Sequence, residues 1–66
     1  MRITINGQSK EFSQTARLNE VIQQLCTDAT RVIAEVNGEI VKRDNWDTTA
    51  VKDGDTIELV SFVGGG

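Results

Sequence analysis

Met1, Ile3 and Ile5 alternate with Arg2, Thr4 and Asn6, and a period of two is that of a half-buried strand. Asn6-Gly7 follows, the dipeptide that supplies both positive-φ positions of a type I′ hairpin turn. The predicted return strand is Gln8 to Phe12. A two-residue turn sets Ile5 opposite Gln8, Ile3 opposite Lys10 and Met1 opposite Phe12, so Phe12 joins Met1 in the core. Lys10 then falls on the buried side. Its stem is expected over apolar surface at the sheet edge with the amine in water; a bulge or a longer turn would relieve it as well. The period next becomes helical. Leu18, Val21, Ile22 and Leu25 fall at i, i+3, i+4 and i+7, opposite Arg17, Asn19, Glu20, Gln23 and Gln24, which predicts one amphipathic helix. Thr15 is its expected N-cap. No glycine marks where it stops between Thr27 and Thr30.

Alternation returns from Arg31 to Val36, with Val32, Ala34 and Val36 on one face and Arg31, Ile33 and Glu35 on the other. Asn37-Gly38 predicts a second tight hairpin, returned by Glu39-Ile40-Val41. The polar stretch 42–47 surrounds Trp46, which is expected to close one side of a small core with its indole N–H partnered. Asp53-Gly54-Asp55 reads as a turn with glycine at the positive-φ position. The final strand runs Thr56 to Val63: Ile57, Leu59, Ser61 and Val63 share the core parity, and Glu58, Val60 and Phe62 point outward. Strand, strand, helix, strand, short strand, strand predicts an α+β fold, a mixed sheet wrapped around one helix. The first and last strands are expected to be central and parallel.

Composition narrows the function classes. A chain of 66 residues is one domain that buries roughly 60% of its unfolded surface, leaving little room for an internal active site. It has no histidine, the usual proton carrier near neutral pH. Its single cysteine, Cys26, excludes an intrachain disulfide and a multi-cysteine zinc site; it reads as a small hydrophobe at the margin of the helix stripe rather than as a reactive thiol. An unpaired cysteine fits a reducing compartment. There is no signal-peptide pattern and no apolar run long enough for a bilayer, so the expected location is cytoplasmic. A net charge of −3 speaks against nucleic acid and anionic membranes as partners. Asp44 and Asp47 have no partner chemistry, and Asp53 and Asp55 lack the spacing of a calcium loop. The expectation is a domain with no catalytic residue, no metal and no bound cofactor, one that works by being bound.

The chain ends in Gly64, Gly65 and Gly66, directly after the last strand. The predicted organisation is a domain over 1–63 and a flexible glycine tail over 64–66. Glycine has no Cβ, so such a thread enters slots closed to other residues and delivers a terminal carboxylate that a partner can adenylate. Fraying is the other reading of a glycine end. Val60 and Phe62 form an apolar outward pair beside the tail. They suit a docking surface, with Phe62 folding over the sheet edge as the alternative.

The order of elements, the Thr15/Leu18/Val21-Ile22/Leu25 helix and the Asp53-Gly54-Asp55 turn before a strand ending in Gly-Gly resemble the β-grasp, ubiquitin-like family. Val36-Asn37-Gly38-Glu39-Ile40-Val41, Arg43, Trp46, Ile57-Glu58-Leu59-Val60 and Phe62-Val63-Gly64-Gly65-Gly66 carry a narrower similarity, over essentially the whole chain, to the ThiS sulfur carriers of thiamine biosynthesis. That resemblance implies a cycle. A ThiF-like adenylating enzyme activates the Gly66 carboxylate with ATP. A sulfur-transfer enzyme supplies persulfide sulfur, and the resulting thiocarboxylate serves thiazole synthase. Gly64 and Gly65 would be the thread inserted into the partner site, and Val60 and Phe62 the docking residues. The Gly-Gly end alone is shared with the small subunit of molybdopterin synthase and with ubiquitin-like protein modifiers, so both stay open as alternatives, as does an interaction module with an inert tail.

Overall fold

The computed structural model describes residues 1–13, 16–26 and 28–61. In chain order these form β1 (Arg2–Ile5), β2 (Gln8–Glu11), β3 (Ala16–Arg17), α1 (Leu18–Leu25), a 3₁₀ turn (Ala29–Arg31), β4 (Val32–Val36), β5 (Glu39–Val41), a second 3₁₀ turn (Arg43–Thr48), β6 (Ala50–Val51) and β7 (Thr56–Ser61).

Both hairpins have the expected geometry. Asn6 and Gly7 take φ of 51° and 83°, and Asn37 and Gly38 take 52° and 87°, the paired positive values of type I′ turns. The first turn sets Ile3 opposite Lys10 and Ile5 opposite Gln8. Phe12 is half-buried against the core, and its N–H donates to the Met1 carbonyl at 2.9 Å. Lys10 is half-buried on an outer strand, so neither a bulge nor a longer turn is needed. The five-stranded sheet has the order β2-β1-β7-β4-β5. β7 lies at its centre, parallel to β1 and antiparallel to β4, the arrangement expected of a β-grasp fold.

One face of this sheet is covered by α1. Leu18, Val21 and Ile22 lose all solvent contact, and with Ile3, Ile5, Val32, Ala34 and Ile57 they make the centre of the core. Leu25, expected on the same apolar face, is instead exposed: the helix ends there and Cys26 turns to extended backbone while its N–H still donates to the Ile22 carbonyl at 2.8 Å. Cys26 is a free thiol packed at the edge of the core, as read for a small hydrophobe. The residue expected as N-cap, Thr15, lies outside the described residues. The capping position is Arg17, whose N–H donates to the Glu20 carboxylate at 2.7 Å, half of a capping box.

Two features are new to the sequence reading. β3 and β6 pair antiparallel into a separate two-stranded sheet, Ala16 opposite Val51, and the Leu18 N–H donates to the Thr49 carbonyl at 2.9 Å. This ties the helix entry to the loop before β6. Trp46, buried within the second 3₁₀ turn, closes the core as expected, its indole N–H donating to the Val41 carbonyl at 2.9 Å. Arg43 sits 5.9 Å over its ring and also donates to the Thr30 carbonyl at 2.6 Å. Gly54 adopts φ of 88°, and its N–H donates to the Arg2 carbonyl at 2.8 Å, so the turn before β7 is pinned to β1.

The first 3₁₀ turn is capped by Asp28. Its carboxylate accepts from the Thr30 hydroxyl and from the Thr30 N–H, with Arg31 Nε at 3.4 Å. The hydroxyl bond first, then the amide bond and the Arg31 charge hold this carboxyl below its ordinary 3.8. The folded chain therefore takes up this proton less readily than the unfolded one. Stability from the turn is present above the unfolded value and is lost as pH falls through the lower folded value. Asp28→Asn keeps an acceptor and removes the titration, so its unfolding midpoint should fall less steeply between about pH 5 and pH 2 than that of the wild type. Identical acid limbs for the two chains would remove Asp28 from the account.

Candidate functional site

The central strand β7 leads towards the glycine end, and its outward side chains were the expected docking residues. Val60 points out and is 55% exposed. Phe62, Gly64, Gly65 and Gly66 lie outside the described residues, as does Val63. Around Val60 the sheet register assembles a face that the chain order hides. Ile33 of β4 stands opposite Val60 and is 43% exposed. Ile40 of β5, 67% exposed, stands opposite Glu35, which itself stands opposite Glu58. Three aliphatic side chains thus share the open side of the sheet with a pair of carboxylates.

Ile33 and Ile40 were not among the candidate residues. The signal was available for Ile33, an apolar residue on the otherwise polar parity of its strand with Arg31 and Glu35. Cross-strand neighbours of like charge destabilise a sheet, and no cation lies within ion-pair distance of Glu35 or Glu58 among the described residues, whose ion pairs are Arg2–Glu11 and Arg31–Asp28. A surface that complements this face carries apolar groups with basic neighbours.

The covered side of the sheet has its own opening near the end of β7. A cleft of about 300 Å³ lies between the C-terminal end of α1 and the first hairpin, with Ile5, Lys10, Cys26, Leu59 and Ser61 among its walls. Asn6 stands at this end too. Its side chain accepts from the Leu59 N–H at 2.8 Å and donates to the Leu59 carbonyl at 3.1 Å. Among the described residues no group of three or more His, Cys, Asp or Glu side chains is placed to hold a metal ion, and no helix is long and apolar enough to cross a membrane.

With this geometry in hand, comparison with known proteins is decisive about kinship. The sequence model of the ThiS family matches residues 3–66. The chain belongs to the ThiS family. The sulfur carrier protein ThiS of Escherichia coli (strain K12) is 30% identical, with both chains covered completely at 100%. The crystal structure of the thiamine biosynthesis protein ThiS from Geobacter metallireducens superposes with a TM-score of 0.87 at 36% identity, again over 100% of both chains. The ThiS kinship therefore carries the β-grasp fold with it, and the family is one of sulfur carriers in thiamine biosynthesis. A third relative is of a different kind. The thiazole synthase of Paramagnetospirillum magneticum is 38% identical over this whole chain, yet the chain spans 20% of that protein's length. There, a ThiS-like segment is part of one polypeptide with thiazole synthase.

Proposed function

We propose that the chain is a sulfur carrier whose Gly66 carboxylate is adenylated and then converted to a thiocarboxylate for thiazole formation. The observation that carries this reading is a family match that runs through the terminal glycines to residue 66. In the first step an oxygen of the Gly66 carboxylate attacks the α-phosphorus of ATP on a ThiF-like partner. Pyrophosphate leaves and an acyl-adenylate forms. The terminal sulfur of a persulfide, held by a sulfur-transfer enzyme, then displaces AMP to give an acyl disulfide. A second thiol cleaves its S–S bond, leaving the thiocarboxylate on Gly66 and a disulfide between the two thiols. The chain acts as a co-substrate and contributes no catalytic group. Gly64 and Gly65 form the thread that enters the partner site.

Thiazole synthase is the favoured acceptor because a relative joins the two in one polypeptide. Incubation with a ThiF-type enzyme, ATP and a persulfide donor, followed by intact-mass spectrometry, tests the reading. Replacement of one oxygen by sulfur at the C-terminus supports a carrier. Conjugates on lysines would instead make it a protein modifier, and an unchanged mass an inert module. A thiocarboxylate consumed by molybdopterin synthase and refused by thiazole synthase would move the carrier to the other pathway.

The docking reading assigns the outer sheet face, with Val60 at its middle and Phe62 two residues further along, to the contact with these partners. Val60→Asp should reduce affinity for the adenylating enzyme by about 10- to 100-fold, since a buried aliphatic contact is lost and a charge is desolvated in its place. The unfolding midpoint should fall by only a few degrees: the side chain is outside the core, and the cost is that of an aspartate in a strand beside Glu58 and Glu35. Calorimetric titration gives the affinity. A value within about twofold of the wild type would take Val60 out of the interface.

A further inference from the structure

Asn6 contacts the last strand through three atoms. Its backbone N–H donates to the Ile57 carbonyl at 3.0 Å. Its side-chain nitrogen donates to the Leu59 carbonyl at 3.1 Å, and its side-chain oxygen accepts from the Leu59 N–H at 2.8 Å. β1 ends at Ile5, opposite Ile57. On that side of β7 the chain turns away just where the strand heads towards its end. The Asn6 amide takes the place of the missing β1 residue and satisfies both backbone groups of Leu59.

The turn itself does not demand this. Its positive φ is met at least as well by glycine. Asn37 makes the point by occupying the same place in the second hairpin, at φ of 52° against 51° for Asn6. Its side-chain oxygen accepts from the Thr56 N–H at 2.9 Å, and its nitrogen donates to the Asp55 carboxylate at 3.0 Å. Thus β7 is held by two turn asparagines, one at its first residue and one two residues before Ser61, its last.

We propose that Asn6 is a positioning residue for the C-terminal end. β4 pairs one edge of β7 as far as Ser61; Asn6 secures the other edge at Leu59, so that the end of the strand is fixed on both sides before a partner takes up the residues beyond it. This rests on the reading of Gly66 as the loaded group. Strand residues that fray must be ordered again on binding, and the entropy lost in doing so weakens capture. Once the complex has formed, the reacting carboxylate is placed as before. The loss of Asn6 should therefore fall on KM and leave kcat.

The two asparagines provide their own control. Asn6→Gly keeps the positive φ and removes both side-chain bonds near the tail. Asn37→Gly does the same at the far end of the strand, with the same added freedom in the unfolded chain. ATP-dependent pyrophosphate release by a ThiF-type enzyme gives KM and kcat for each chain at a temperature where all are folded. Amide hydrogen exchange reads the strand. Asn6→Gly should raise KM about tenfold with kcat unchanged and speed exchange at Leu59 about tenfold, the scale set by loss of such hydrogen bonds. Asn37→Gly should leave KM within about twofold of the wild type, since its bonds lie away from the tail. Asn6→Asp keeps the acceptor for the Leu59 N–H but sets a carboxylate oxygen against the Leu59 carbonyl in place of the donor, so it should also raise KM severalfold, and it serves if the glycine variant does not fold. Equal KM changes in Asn6→Gly and Asn37→Gly, or none in Asn6→Gly, would overturn the proposal. No pyrophosphate release with the wild-type chain would mean that the Gly66 reading has failed; exchange at Leu59 then decides the clamp alone, and unchanged exchange in Asn6→Gly overturns it.

Discussion

Deleting Gly66 is expected to abolish sulfur loading while leaving the domain folded. The deletion does not remove the chemistry, because Gly65 then ends in the same carboxylate. It removes reach. One residue of extended chain spans about 3.3–3.6 Å, and misplacing a reacting atom by even about 1 Å costs on the order of 100-fold in rate. A carboxylate held a whole residue short of the adenylate-forming site should therefore react at a rate below detection in an ordinary incubation. Stability has no reason to follow. The core is built from Ile3, Ile5, Leu18, Val21, Ile22, Val32, Ala34, Trp46, Val51 and Ile57 with their neighbours. The checks are intact mass after incubation with the adenylating enzyme, ATP and a persulfide donor, and a thermal melt of the same sample. A sulfur-for-oxygen mass gain in the shortened chain would show that Gly66 is not the required end. A collapsed melting temperature would show that the tail belongs to the platform.

The hairpins, and with them most of the sheet, were legible along the chain because a two-residue turn leaves no slack. Once Asn6-Gly7 is a type I′ turn, Ile3 must face Lys10, as it does. Local signals failed where the determining contact is remote. β3 and β6 are two residues each, too short to carry any period, and exist because Ala16 and Val51 meet. That pairing takes up Ala16 and Arg17 as strand and moves the helix start to Leu18. Leu25 satisfies the helical spacing, yet the next residue is already extended and the side chain is left at the open edge of the cleft beside α1.

The candidate site shows the same division. Val60 was readable from the parity of its own strand. Ile33 beside it depends on the register of β4 against β7, a pairing across 26 intervening positions that no local pattern encodes, since Ile33 stands opposite Val60. Asn6 and Asn37 were read for their backbone angles alone. That reason was sufficient by itself, and it concealed the hydrogen bonds their side chains make to β7.

Ile57→Ala should unfold much of the population and stop loading with it. Ile57 has no exposed surface and lies in the middle strand, opposite Ile5 on one side and Val36 on the other. Truncating a buried isoleucine to alanine costs about 2–5 kcal/mol, through lost burial and the cavity left behind. A single core in a domain this small rarely supplies more than about 3–5 kcal/mol in total. The deficit is thus of the same size as the whole stability. Ile57→Val, at about 0.5–1.5 kcal/mol, should stay folded and give a matched control. Circular dichroism measures the folded fraction, and pyrophosphate release measures loading. If the partner recognises the sheet face around Val60, the rate should track the folded fraction across wild type, Val and Ala, because an unfolded chain presents the same three glycines with no surface beside them. An unfolded Ala variant that still loads at the wild-type rate would show that the glycine tail is recognised alone, and the docking role of Ile33, Ile40 and Val60 would fall with that result.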